Sequence, residues 1–160
     1  MGTGMTLTFR PAQTRDIEEM FSLRGRTREN PISREDLASL GFTPESTAAR
    51  MASGQVAGWV CRDESSLVGF CSGDSLSGEI LVLAVLPEFE GKGIGKQLLW
   101  RVIEALKSKG CRGLWLAASP DPGVRSYGFY RHLGWRATGK MSSSGDEILA
   151  YRPDDLKSGR

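Results

Sequence analysis

A single histidine, His132, stands in the whole chain. A zinc site or a serine–histidine–aspartate triad has almost nothing to be assembled from, and no metal is expected. Cysteine is scarce as well: Cys61, Cys71 and Cys111 are odd in number and too widely spaced for a CxxC pair. That pattern is expected of reduced thiols in a cytoplasmic protein, not of a disulfide framework. Long apolar runs are missing; the longest, Ile80 to Leu86, falls far short of the ~20 residues that span a bilayer. The first residues show no apolar signal-peptide core, so no membrane partner is expected. Charge of one sign is also lacking. The net charge of +2 over 160 residues is too mild for a nucleic-acid partner, which ordinarily needs a concentrated basic face. The one local cluster, Arg24, Arg26 and Arg28 beside Glu29, reads as a solvated helix end.

What is present is the composition of a globular protein, 39% hydrophobic and 25% charged, and long enough for a real core. One domain is expected over residues 5–153, with 1–4 and 154–160 as flexible termini. Leu7 and Phe9 alternate with polar residues as a short first strand does. Thr14 is placed to cap a helix carrying Ile17, Met20, Phe21 and Leu23. Two short helices follow, one from Ser33 to Gly41, the other capped by Thr43 with Pro44 in its first turn. The period then changes: Ala57–Arg62, Leu67–Ser72 and Glu79–Leu86 read as an antiparallel meander whose third strand is apolar nearly throughout. Leu98, Leu99, Val102, Ile103 and Leu106 form one helical stripe, closed by Gly110. A strand at Leu114–Ala118, a helix from Asp121-Pro122 to Leu133, and a hairpin of Trp135–Met141 and Ile148–Tyr151 complete the chain. No internal repeat or low-complexity tract appears.

Between the third meander strand and the striped helix lies Gly91-Lys92-Gly93-Ile94-Gly95-Lys96. The first amides of a helix have no partner within it, and the aligned peptide dipoles place about half a positive charge there. Glycines allow close backbone approach and positive φ, and the two lysines add charge, so the turn is suited to a phosphate. The Walker A pattern needs four residues between its first glycine and Gly-Lys, followed by Ser or Thr; here there are three, followed by Gln97. The Rossmann pattern needs G-x-G-x-x-G after the first strand of a βαβ unit, and three antiparallel strands precede this turn. Both nucleotide readings fail on spacing.

On these residues the chain resembles the GCN5-related N-acetyltransferase (GNAT) superfamily. The run VLPEFEGKGIG, Val85 to Gly95, is similar to that family's acyl-CoA pyrophosphate loop. GFYRHLGW, Gly128 to Trp135, is similar to its later FYxxxGF helix end. The resemblance implies an α/β fold with a mixed sheet, in the order β-α-α-β-β-β-α-β-α-β-β with one extra short amino-terminal helix. It implies acetyl-CoA as co-substrate, its pantetheine arm along the backbone of Leu83, Ala84 and Val85. Its pyrophosphate would lie on the amides of Gly91, Lys92, Gly93, Ile94, Gly95 and Lys96. One position departs from the family: Glu90 stands where Gln or Arg is usual. Tyr130 takes the place of the family's tyrosine that protonates the leaving thiolate, and Glu79 that of the catalytic glutamate in histone-acetylating relatives. The acceptor wall would include Glu29 and Asn30, which also read as a plain interhelical loop before Pro31. His132 reads as a surface residue. The implied activity is acetyl transfer to a primary amine of a small molecule, amino acid or peptide; the alternative is an acyl-CoA-binding module without transfer. A homodimer is compatible with the resemblance.

Overall fold

The striped helix and the meander find each other, and the rest of the chain is arranged around that contact. The computed structural model describes residues 6–27 and 32–153. Four strands, β1 (Leu7–Pro11), β2 (Val56–Asp63), β3 (Ser66–Asp74) and β4 (Ile80–Val85), form one antiparallel sheet in the order β1-β2-β3-β4. Between β1 and β2 the chain makes α1 (Ile17–Arg24), α2 (Arg34–Ser39) and α3 (Pro44–Ala52). Helix α4 (Ile94–Ser108) follows β4, and after it come β5 (Leu114–Ala118), α5 (Arg125–His132), β6 (Arg136–Met141) and β7 (Glu147–Tyr151). The last three strands form a second sheet in the order β5-β7-β6. The order of elements is the one expected, including the extra short helix.

The stripe of α4 is buried throughout: Leu98, Leu99, Val102, Ile103 and Leu106 are all core residues. Burying each such side chain contributes roughly 1.5–3 kcal/mol. The helix lies so close to the sheet that a Cβ on Gly73 would come within 2.7 Å of Leu106 Cδ1, so β3 needs glycine there. β3 is buried from Leu67 to Gly73, which means both its faces are covered. Its Gly69 and Gly73 face α4, and the alternation turns Val68 and Phe70 to the α1 side.

Helix α1 is tied to that sheet by ions as well as by Ile17, Met20, Phe21 and Leu23. The Asp16 carboxylate accepts two bonds from Arg10, both 2.8 Å, and one from the Gln13 amide at 2.7 Å. Arg62 approaches Asp16 at 3.4 Å and donates to Glu19 at 3.0 Å. Burial alone would raise the Asp16 carboxyl; the bonds from Arg10 and Gln13 and the charges of Arg10 and Arg62 outweigh it and hold the group below its ordinary value.

Two local expectations are corrected. Thr14 caps nothing; it opens a 3-10 turn, Thr14–Asp16, whose cap position is Gln13. Asp121 does not begin α5. Its carboxylate accepts from the Gly123 amide at 2.9 Å, an Asx turn that delays the helix to Arg125.

Candidate active site

Among the described residues the two sheets meet at one parallel bridge, Glu79 to Trp115. Beyond it β4 and β5 part, and a cleft of about 720 Å³ opens between them. Its floor is β4 from Ile80 to Val85, facing Ala117 and Ala118 at the end of β5. The β4 backbone facing the cleft can be read from its pairing. Leu86 donates to Val68 at 2.9 Å, and the β3–β4 register pairs Phe70 with Ala84 and Ser72 with Val82. Antiparallel alternation therefore turns the amides and carbonyls of Ala84 and Val82 to β3, and those of Leu83 and Val85 to the cleft. Of the three residues expected to meet a pantetheine arm, two offer backbone groups without a ladder partner; Ala84 lines the cleft with its backbone committed to β3.

At the mouth is the glycine turn. Gly91 and Gly93 have φ of 80° and 81°, and a Cβ on either would meet nothing within 4 Å. Gly93 is the amino-terminal cap of α4 and has no side chain to satisfy the helix. The first bond of that turn runs from Gln97 to the Gly93 carbonyl at 3.1 Å, so the amides of Ile94, Gly95 and Lys96 have no acceptor within the helix. No acidic residue stands in the first turn of α4. Gly91, Gly93, Ile94, Gly95 and Lys96 all line the cleft; Lys92 is exposed beside it and contributes charge alone. The turn fits a diphosphate: open space above glycines, unpartnered amides, a helix dipole and Lys96 meet there, with Lys92 beside it. Glu90, the unusual residue, is 3.4 Å from Arg125 at the start of α5, so its charge is countered across the mouth.

Tyr130 is on the inner wall, only 9% exposed. Its ring meets Phe129 edge-on at 5.1 Å and Trp135 at 5.9 Å, and Trp135 in turn stacks on Tyr151 at 5.0 Å. Burial, with Cys71 adding to it, pushes the Tyr130 hydroxyl well above a phenol's ordinary value, so it stays protonated at neutral pH. Glu79 stands one residue before the cleft floor, at the closed end, and does not itself line the cleft. Burial raises its carboxyl, and the nearby Asp74 charge raises it further. Glu29 and Asn30 lie outside the described residues. His132 is exposed, as a surface histidine should be.

Several wall residues were not picked out by the sequence reading. Arg24 and Thr27 from the end of α1, Arg125 and Phe129 from α5, and Asp146 from the β6–β7 turn all reach the cleft. Arg24 had a signal available: it continues the apolar spacing of Ile17, Met20 and Phe21 and so belongs to the inward face of α1. It is half-buried, which corrects the reading of that arginine as part of a solvated helix end.

Comparison with known proteins agrees with this architecture. The fold is that of the PaiA N-acetyltransferase of Thermoplasma acidophilum in complex with coenzyme A. The two are 23% identical with a TM-score of 0.75, over 92% of this chain and 99% of that one. A GNAT-family acetyltransferase of Staphylococcus aureus gives a TM-score of 0.74 at 18% identity, over 92% and 99% of the two chains. By sequence, the chain is 28% identical to the glucosamine 6-phosphate N-acetyltransferase of Trypanosoma brucei brucei over 82% of its own length and 90% of that protein's. An uncharacterized ycf52-like N-acetyltransferase of Prochlorococcus marinus is 42% identical over 72 residues, which is 43% of this chain and 38% of that protein. The acetyltransferase (GNAT) family model matches residues 17–135, running from the first turn of α1 to the core residue Trp135 just before β6, and the chain belongs to that family.

Proposed function

We propose that the protein is an acetyl-CoA-dependent N-acetyltransferase that acylates a primary amine of a small molecule, amino acid or peptide by direct attack in a ternary complex. The observation that carries this reading is the convergence on one cleft of an uncapped glycine turn, the unpaired edge of β4 and the buried Tyr130. Membership of the family and the coenzyme A held by the PaiA protein support it. When bound, acetyl-CoA supplies a thioester already activated for acyl transfer.

Each residue of the chain then has a bounded task. The amides of Ile94, Gly95 and Lys96 hold the diphosphate, and the backbone of Leu83 and Val85 aligns the extended arm as an added strand would be aligned. Tyr130, kept protonated by burial, gives its proton to the departing sulfur. The acceptor, an ammonium at neutral pH, must lose two: one to free its lone pair for attack and a second from the nitrogen as the amide forms, which restores the Tyr130 proton. A lysine-like amine near pKa 10.4 needs about 4–5 kcal/mol to free its lone pair at pH 7, an α-amine near 8 only about 1.4 kcal/mol. Glu79, with its carboxyl raised towards neutrality, is the base that takes that first proton through water. Direct attack is favoured over an acyl-cysteine because burial raises the thiols; Cys61 is pushed up to about 11 and Cys71 further. An acyl-CoA-binding module would use the same turn, but it would have no use for Tyr130 on the cleft wall.

The test is release of free thiol from acetyl-CoA with and without an amine panel. The account expects amine-dependent release that Tyr130→Phe suppresses while acetyl-CoA still binds. Tight binding with no amine-dependent release would make the protein a sensor.

A further inference from the structure

Three arginines around α1 are held by carboxylates, and Arg15 and Arg26, at its two ends, are exposed to solvent. Arg10 is held by Asp16 at 2.8 Å, Arg62 by Asp16 and Glu19, and Arg34 by Glu18 at 2.8 Å. Arg24 is different. It lies three residues after Phe21, four after Met20 and seven after Ile17, on the face that carries the core side chains, and it lines the cleft. No carboxylate among the described residues pairs with it, and burial alone acts on it, lowering it from its ordinary value. The contrast with Arg10 is direct: Asp16 raises that guanidinium. A half-buried cation on the wall of a binding cleft, with no counter-charge among the described residues, is suited to receive an anion that offsets its desolvation. The guanidinium fork suits a carboxylate or a phosphate ester, both of which it binds through two parallel bonds. Asp146 stands on the wall as well, where its negative charge favours the ammonium of an incoming amine.

We propose that Arg24 anchors an anionic group on the acceptor, so that the substrate is a small amine bearing a carboxylate or a phosphate ester, not a polyamine. This rests on the acetyl-transfer reading above. Arg24 and Tyr130 line the same cleft, so an acceptor fixed at Arg24 by its anion is held in the cleft that Tyr130 lines. Arg24 acts on ground-state binding, which places its effect in KM.

Matched amines test this: glucosamine 6-phosphate against glucosamine, alanine against alaninamide, with spermidine as a purely cationic acceptor. The proposal expects the anion-bearing member of one pair to be preferred about 10- to 100-fold in kcat/KM, the range of a hydrogen bond to a charged group. Which pair shows the preference identifies carboxylate or phosphate. Arg24→Met should erase the preference through KM with kcat nearly unchanged, and Arg24→Lys should retain part of it. Thermal melting of each variant separates loss of fold from loss of the anchor, and the wild-type pairs decide the matter even if Arg24→Met does not fold. Equal rates within both pairs, faster turnover of spermidine, or a preference that survives Arg24→Met would overturn the anchor and leave acetyl transfer standing. The same ligands are titrated into coenzyme A-saturated protein. Arg24-dependent binding without thiol release would keep the anchor and overturn transfer; neither binding nor release would overturn both.

Discussion

The cleft has one wall made of backbone and another made of side chains. On the α4 side, the ligand-facing groups are amides above Gly91 and Gly93 and the free edge of β4. Those groups exist whatever the neighbouring side chains are, provided the turn keeps its positive φ. Elsewhere on the wall, Arg24 and Thr27 at the end of α1 and Asp146 from the β6–β7 turn contribute side chains from segments more than a hundred residues apart. A backbone wall suits a constant ligand such as coenzyme A, and a side-chain wall suits a ligand that differs from one protein to the next.

That contrast can be broken in stages. The largest effect is expected where the α1 wall is anchored. Asp16→Ala leaves Arg10 and Arg62 part-buried beside a lost carboxylate, and unfolding stability should fall by about 3 kcal/mol, read by denaturant titration. The pH dependence follows from the same group. Its folded-state carboxyl lies below 3.8, so its contribution is complete above that value and is lost as pH falls through the lower, folded one. An acid limb of the stability profile that is unchanged in Asp16→Ala would contradict this. Next comes Tyr130→Phe, which should lower kcat by about 100-fold with acetyl-CoA affinity unchanged. Gly93→Val should act on the backbone wall alone. Forcing a branched residue to φ of 81° costs about 1–3 kcal/mol, so acetyl-CoA binding weakens about 5- to 100-fold by calorimetry. The smallest effect belongs to Glu90→Gln. Removing this half-buried carboxylate, whose partner Arg125 is exposed, should tighten acetyl-CoA by no more than about fivefold, and less at high salt.

The same division explains what could be read from sequence. The glycine turn and the α4 stripe are local patterns, and each residue of them sits where spacing put it: Leu98 to Leu106 in the core, Gly93 capping the helix. The meander strands emerged within a residue or two, because their apolar runs end at turn residues. Two turns misled. Asp121 satisfies the Gly123 amide in a tight turn instead of at a helix start, and at the other turn it is Asp16, not Thr14, whose side chain accepts from a backbone amide, that of Gln13. The parting of β4 from β5 has no local signature, since it depends on a pairing that does not form between segments about thirty residues apart. Ala84 looked equivalent to its neighbours until the register with Phe70 committed its backbone to β3. Arg24 was legible in principle, from its spacing to Met20 and Phe21, but its charge and the arginines beside it pointed to solvent.

The most direct test of the account is calorimetric titration of the protein with acetyl-CoA at moderate salt, with ATP and NAD as controls. The account predicts saturable binding of acetyl-CoA at one site per chain, far tighter than either nucleotide. Binding of ATP or NAD with equal affinity, or no binding of acetyl-CoA, would contradict it.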